Sequence, residues 1–91
     1  MNVQVEYTAQ LRARAGCDEE TFTLNRGTAA DVMAAVAERH GAPVREMLFD
    51  TEGRVGQSVL AFLDDEQIDW RRPPAIHDEA RLTLMSPISG G

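Results

Sequence analysis

The feature that most constrains this chain is one capped amphipathic segment, Thr28–Gly41, set between stretches in which apolar and polar residues alternate. Thr28 offers a cap hydroxyl three residues ahead of Asp31, and Ala29, Val32, Met33 and Val36 recur on one stripe while Asp31, Glu38 and Arg39 point elsewhere. Gly41 followed by Pro43 supplies the stop. The pattern predicts one helix of about 12 residues, enough to cover one face of a small sheet.

The flanking segments supply the sheet. Val3, Val5 and Tyr7 alternate with Asn2, Gln4, Glu6 and Thr8, the period of a strand with one buried face. After a polar turn region from Gly16 to Glu20, Phe22 and Leu24 alternate with Thr21, Thr23 and Asn25, so the two strands read as a hairpin-like pair. Leu11 and Ala15 in the connection are expected to close over one end of the core. Beyond the helix, Ala42 to Gln57 contains Pro43, Gly53 and Gly56 and reads as a mostly irregular connection pinned by Met47, Leu48 and Phe49. Val59 to Leu63 is apolar throughout, Asp64 and Asp65 turn the chain, and Gln67 to Trp70 reads as a short edge strand ended by Arg71, Arg72, Pro73 and Pro74. A second turn from His77 to Ala80 leads into Leu82 and Leu84, which alternate with Thr83 and Met85.

The expected architecture is α+β, a mixed sheet of about four to five strands with one main helix packed on one face. The other face stays open. Because every residue from Val59 to Leu63 is apolar, alternate members must point to that open side, and exposed apolar surface is where partners bind.

A chain of 91 residues with 43% hydrophobic and 26% charged residues is one globular domain. We expect a folded body over residues 1–85 and a flexible tail over 86–91. No apolar leader precedes the first strand, and the longest apolar runs, Val32–Ala37 and Val59–Leu63, are far too short to cross a membrane, so a cytoplasmic protein without a membrane partner is expected. Cys17, alone, excludes an internal disulfide and cannot build a cysteine-based zinc site by itself. The net charge of −6 opposes binding to nucleic acid and suits a basic protein partner, although acidity also serves solubility alone. All nine basic residues are Arg.

Side-chain catalysis finds little support. His40 ends the helix, where a basic residue suits the dipole. His77 lies in a turn beside Asp78 and Glu79 without a second histidine at ligand spacing, and Cys17 precedes three acids, which oppose a reactive thiolate. Asp64, Asp65, Glu66 and Asp69 lack the glycine and spacing of a calcium loop, and Arg71 and Arg72 read as edge-strand charges. No metal site is expected.

What remains is the ending, Ser86-Pro87-Ile88-Ser89-Gly90-Gly91. Six stretched residues reach about 20 Å, and two terminal glycines let the main chain enter a narrow channel. Taken with Tyr7-Thr8-Ala9-Gln10-Leu11-Arg12, Ala15-Gly16 and the segment Thr28 to Gly41, this ending resembles the ubiquitin-like sulfur carriers, nearest to the small subunit of molybdopterin synthase and more distantly to the thiamine-pathway carrier. Asp64-Asp65 stands where that family has an Asn-Gly-like turn, His77-Asp78-Glu79-Ala80 where it has Asp-Gly-Asp-Glu, and Met85 where it often has an aromatic residue.

The resemblance implies the β-grasp fold and a carrier that is not an enzyme alone but serves as the small subunit of a sulfurtransferase complex. An activating enzyme would use ATP to adenylate the Gly91 carboxylate, and a sulfur donor would displace AMP to leave a thiocarboxylate. Ser86, Pro87, Ile88, Ser89 and Gly90 would thread the channel. The chain would hold no permanent cofactor, and its partners would be the activating enzyme and a sulfur-acceptor enzyme such as the large subunit of molybdopterin synthase. By register with the family, Phe62, Met85, Leu60 and Thr8 would form the partner-binding surface. Sulfur delivery to thiazole, cysteine or tRNA, attachment to other proteins as a modifier, and a plain interaction module remain open alternatives.

Overall fold

The computed structural model describes residues 1–56 and 59–85. Five strands form one mixed sheet: β1 (Asn2–Thr8), β2 (Glu19–Thr23), β3 (Leu60–Leu63), β4 (Glu66–Gln67) and β5 (Ala80–Met85). Their order is β2-β1-β5-β3-β4. β1 and β5 lie parallel at the centre, in register from Val3–Ala80 to Thr8–Met85, and the remaining pairings are antiparallel. The other expected strands are thus present, but the edge strand is displaced from the expected Gln67–Trp70 to Glu66–Gln67, and the ladder continues past Gln67 only through the Ile68 N–H, which donates to Ala61 O.

Three helices cover one face, α1 (Ala9–Ala15), α2 (Ala29–His40) and α3 (Ala42–Leu48). α2 is the predicted helix. The Thr28 hydroxyl accepts from the Ala30 N–H while the Asp31 carboxylate accepts from the Thr28 N–H at 2.8 Å, closing the capping box. Gly41 ends the helix at φ +77, a conformation that favours glycine.

Two expected connections are corrected. The link between β1 and β2 is the helix α1, ended by Gly16 in the left-handed region with its N–H donating to Arg12 O. The segment after α2 is not irregular over its first half but forms α3, with Pro43 in its first turn. Proline both prevents α2 from continuing and starts the next helix, because its missing N–H costs nothing in a first turn.

The core is the contact between the inward residues of the central strands and this helical layer. Val3, Val5, Leu82 and Leu84 from the sheet and Val32, Met33 and Val36 from α2 are fully buried. Leu11 of α1 and Val44 and Leu48 of α3 close the remaining side. Each side chain of this size stabilises the fold by roughly 1.5–3 kcal/mol on burial, so the two short helices contribute packing that isolated seven-residue helices could never sustain.

Candidate functional site

The open face of the sheet is not uniform. Along β5 the side chains of Arg81, Thr83 and Met85 point away from the helices, alternating with buried Ala80, Leu82 and Leu84. Register places Met85 between Thr8 on β1 and Leu60 on β3, and places Thr83 between Glu6 and Phe62. Neighbouring residues on one face of paired strands stand close enough for direct side-chain contact. Leu60, 44% exposed, and Met85, 37% exposed, are the large apolar side chains most open to solvent among the described residues, and half-buried Phe62 sits beside them.

Thr8, Leu60, Phe62 and Met85, expected at the partner-binding surface, are therefore brought together at one corner. The strand alternation behind this is visible in β3, where Ala61 is buried while Leu60 is exposed. The Thr8 hydroxyl donates to Leu84 O at 3.1 Å, leaving its methyl group and Met85 as the local apolar surface. Away from this corner the face turns polar: Glu6 pairs with Arg81, and Gln4, Thr21 and Thr23 lie toward β2. The corner is at the C-terminal end of β5, so residue 86 begins next to it in sequence. Ser86, Pro87, Ile88, Ser89, Gly90 and Gly91 lie outside the described residues.

Across the sheet, on the helix side, the structure assembles a group that strand and helix patterns had left scattered. Glu20 faces inward on β2, in register with Val5. Its carboxylate accepts from the Tyr7 hydroxyl at 2.5 Å, contacts His40 Nε2 at the end of α2, and lies 3.5 Å from the Arg39 guanidinium. Tyr7 and His40 also pack edge to face at 5.7 Å, and Arg39 stacks over Phe22. Burial opposes ionisation of Glu20, but the hydrogen bond from Tyr7, the contact with His40 and the Arg39 charge outweigh it, holding the carboxyl below its ordinary range. Burial and the same carboxylate push the Tyr7 phenol far upward. Burial, Glu20 and Asp18 push the Cys17 thiol up, as expected for a thiol beside acids.

His77 sits in the expected exposed turn, where Nε2 contacts the Asp64 carboxylate and Nδ1 lies 2.9 Å from Asp78 O. Asp64 also accepts from the Arg81 N–H at 3.0 Å. These contacts tie the two β-turns together and leave His77 in solvent. Arg71 pairs with Asp69 within its own turn.

The sequence matches no protein-family model and no curated protein. Solved structures do match it. SAMP1 of Haloferax volcanii superposes with a TM-score of 0.90 at 20% identity, covering 100% of both chains. A protein assigned as molybdopterin converting factor subunit 1 from Pyrococcus furiosus gives 0.74 at 22% identity, over 97% of this chain and 99% of the other. A structure of the BexX/CysO complex from Amycolatopsis orientalis gives 0.72 at 20% identity, over 98% of this chain and 99% of the matched one. The chain thus has the β-grasp fold, a five-stranded mixed sheet with helices on one face, as these structures do.

Proposed function

We propose that this protein is a sulfur carrier whose Gly91 carboxylate is adenylated by an ATP-dependent activating enzyme and converted to a thiocarboxylate. The observation that carries the proposal is the exposed Leu60–Met85 corner at the end of a central strand, with Met85 six residues before the terminal Gly91. A partner docked on that corner receives the tail at a defined starting point. An unactivated carboxylate is a poor electrophile; its attack on the α-phosphate of ATP expels pyrophosphate and makes one carboxylate oxygen part of a good leaving group, and sulfur then displaces AMP. Positioning by the docked body makes the step effectively unimolecular. The partner supplies the catalytic groups.

The fold shared with a molybdopterin converting factor subunit supports molybdopterin as the destination of the sulfur. The crystallised BexX/CysO pair supports the idea that a body of this fold is handed to an enzyme partner. A second reading, a protein modifier linked through the same activated carboxylate, is favoured by the likeness to small archaeal modifier protein 1. Since the chain contains no Lys, lysine-linked chains of itself are not available to it.

The test is intact mass spectrometry after incubation with a candidate activating enzyme, ATP and a sulfide or persulfide source. Exchange of one terminal oxygen for sulfur supports the carrier; covalent attachment to lysines of other proteins without a sulfur intermediate supports the modifier. An unchanged carboxylate with every activating enzyme of the source cell rejects both.

A further inference from the structure

The second cluster lies on the other side of the sheet from the docking corner, on β2, with β1 and β5 between it and β3. Cys17 stands in the turn entering β2, Glu20 on that strand, and His40 at the last position of α2. Their potential ligand atoms, one sulfur, one carboxylate oxygen and one imidazole nitrogen, all lie within 4.8 Å of one another. We propose that Cys17, Glu20 and His40 form a binding site for a zinc-like divalent cation, with water in the fourth position.

The donor chemistry selects the ion. Thiolate, imidazole and carboxylate together suit borderline-soft Zn²⁺ and its surrogate Co²⁺, whereas Mg²⁺ and Ca²⁺ require oxygen donors. Tetrahedral coordination at ordinary zinc bond lengths separates ligand atoms by about 3.3–3.7 Å, so the direct contact of Glu20 with His40 Nε2 opens to admit the ion, while no ligand atom starts more than 4.8 Å from another. Two of the ligands ride on a strand and a helix that the core holds in place, and all three are partly shielded from solvent. The Tyr7 hydroxyl on Glu20 is an outer-shell hydrogen bond of the kind that orients a metal ligand.

Charge is balanced in the bound state. A carboxylate and a thiolate together neutralise a divalent ion, and a coordinated thiol is deprotonated, so binding breaks the Cys17 S–H bond, forms the metal–sulfur bond and releases one proton to buffer. Binding would cross-link β2 to the end of α2 without covering Leu60 or Met85, which makes it separable from the carrier activity.

Chelator-treated protein titrated with Co²⁺ should bind one equivalent and develop a thiolate-to-cobalt charge-transfer absorption, both reversed by Zn²⁺. Cys17→Ser should abolish that absorption, and Glu20→Gln and His40→Gln should each weaken binding by about tenfold or more. His77→Asn, which alters the exposed Asp64–His77 turn, should change neither. Half-exposed Cys17 tolerates the serine without loss of fold, so its result stands even if Glu20→Gln proves unstable. Absence of stoichiometric binding, a bound cobalt without the charge-transfer band, wild-type affinity in His40→Gln, or loss of binding in His77→Asn would each overturn the site.

Discussion

Glu20 occupies a place that the pattern of β2 reserves for an apolar side chain, sharing the inward face with Phe22. A carboxylate survives there because Tyr7, His40 and Arg39 converge on it. Its folded-state pKa is depressed, so the interaction stabilises the protein above the ordinary glutamate value of 4.5 and is lost as pH falls through the lower folded value. Glu20→Gln should therefore lower stability at neutral pH and flatten the acid limb of a pH-dependent urea-unfolding series; an unchanged acid limb would remove Glu20 from that role. On the opposite face, Leu60, Phe62 and Met85 carry no such network. Met85→Asp or Phe62→Asp should weaken binding to the activating enzyme by about 2 kcal/mol or more, the scale of an interface anchor, with circular dichroism unchanged. Unfolding by Met85→Asp would show that the open face is part of the core.

At the scale of elements, the turn between β3 and β4 is a sensitive point. Asp64 at φ +49 and Asp65 at φ +76 both adopt the left-handed region, as a two-residue hairpin of the primed type requires. Asp64 is retained by its contacts with the Arg81 N–H and His77. Asp65 shows no comparable side-chain partner among the described residues, so Asp65→Gly should relieve backbone strain and raise stability by up to about 1 kcal/mol, read as a shift in urea midpoint at constant m-value. β1, β2, β5 and α2 were legible in the sequence because each carries a periodic pattern with its own cap or turn, and β3 by its unbroken apolar run, whereas the two residues of β4 are too few to show a period. α1 and α3 were not, since two turns offer only one or two core positions each, Leu11 in one and Val44 and Leu48 in the other. A trace existed nonetheless: Ala9 to Ala15 is composed of strong helix formers and is followed by Gly16. The apolar corner was legible by register with a known fold, whereas the Cys17–Glu20–His40 group depends on a meeting of β2 with the end of α2 that no local period encodes.

For the whole molecule, the proposed carrier chemistry assigns docking to the body and activation to the tail. The described body is stabilised by β5 and the helical layer, with the inward residues of β5 ending at Leu84. Removing Gly91, or converting its carboxylate to an amide, should leave the thermal midpoint unchanged and abolish adenylate formation in a pyrophosphate-release assay; activation near the wild-type rate would refute the carboxylate as the working group. The parallel pairing of β1 with β5 has a mechanical consequence. In parallel strands, force applied at the start of one and the end of the other runs along both, so the rungs from Val3–Ala80 to Thr8–Met85 are loaded together in shear instead of being unzipped in turn. An enzyme that grips residues 86–91 and pulls against the N-terminal strand therefore meets the sheet in its most resistant direction. Single-molecule stretching between Asn2 and Met85 should give a higher rupture force than stretching between Leu60 and Met85, which face each other at one end of the antiparallel β3–β5 ladder and can peel it one pair at a time.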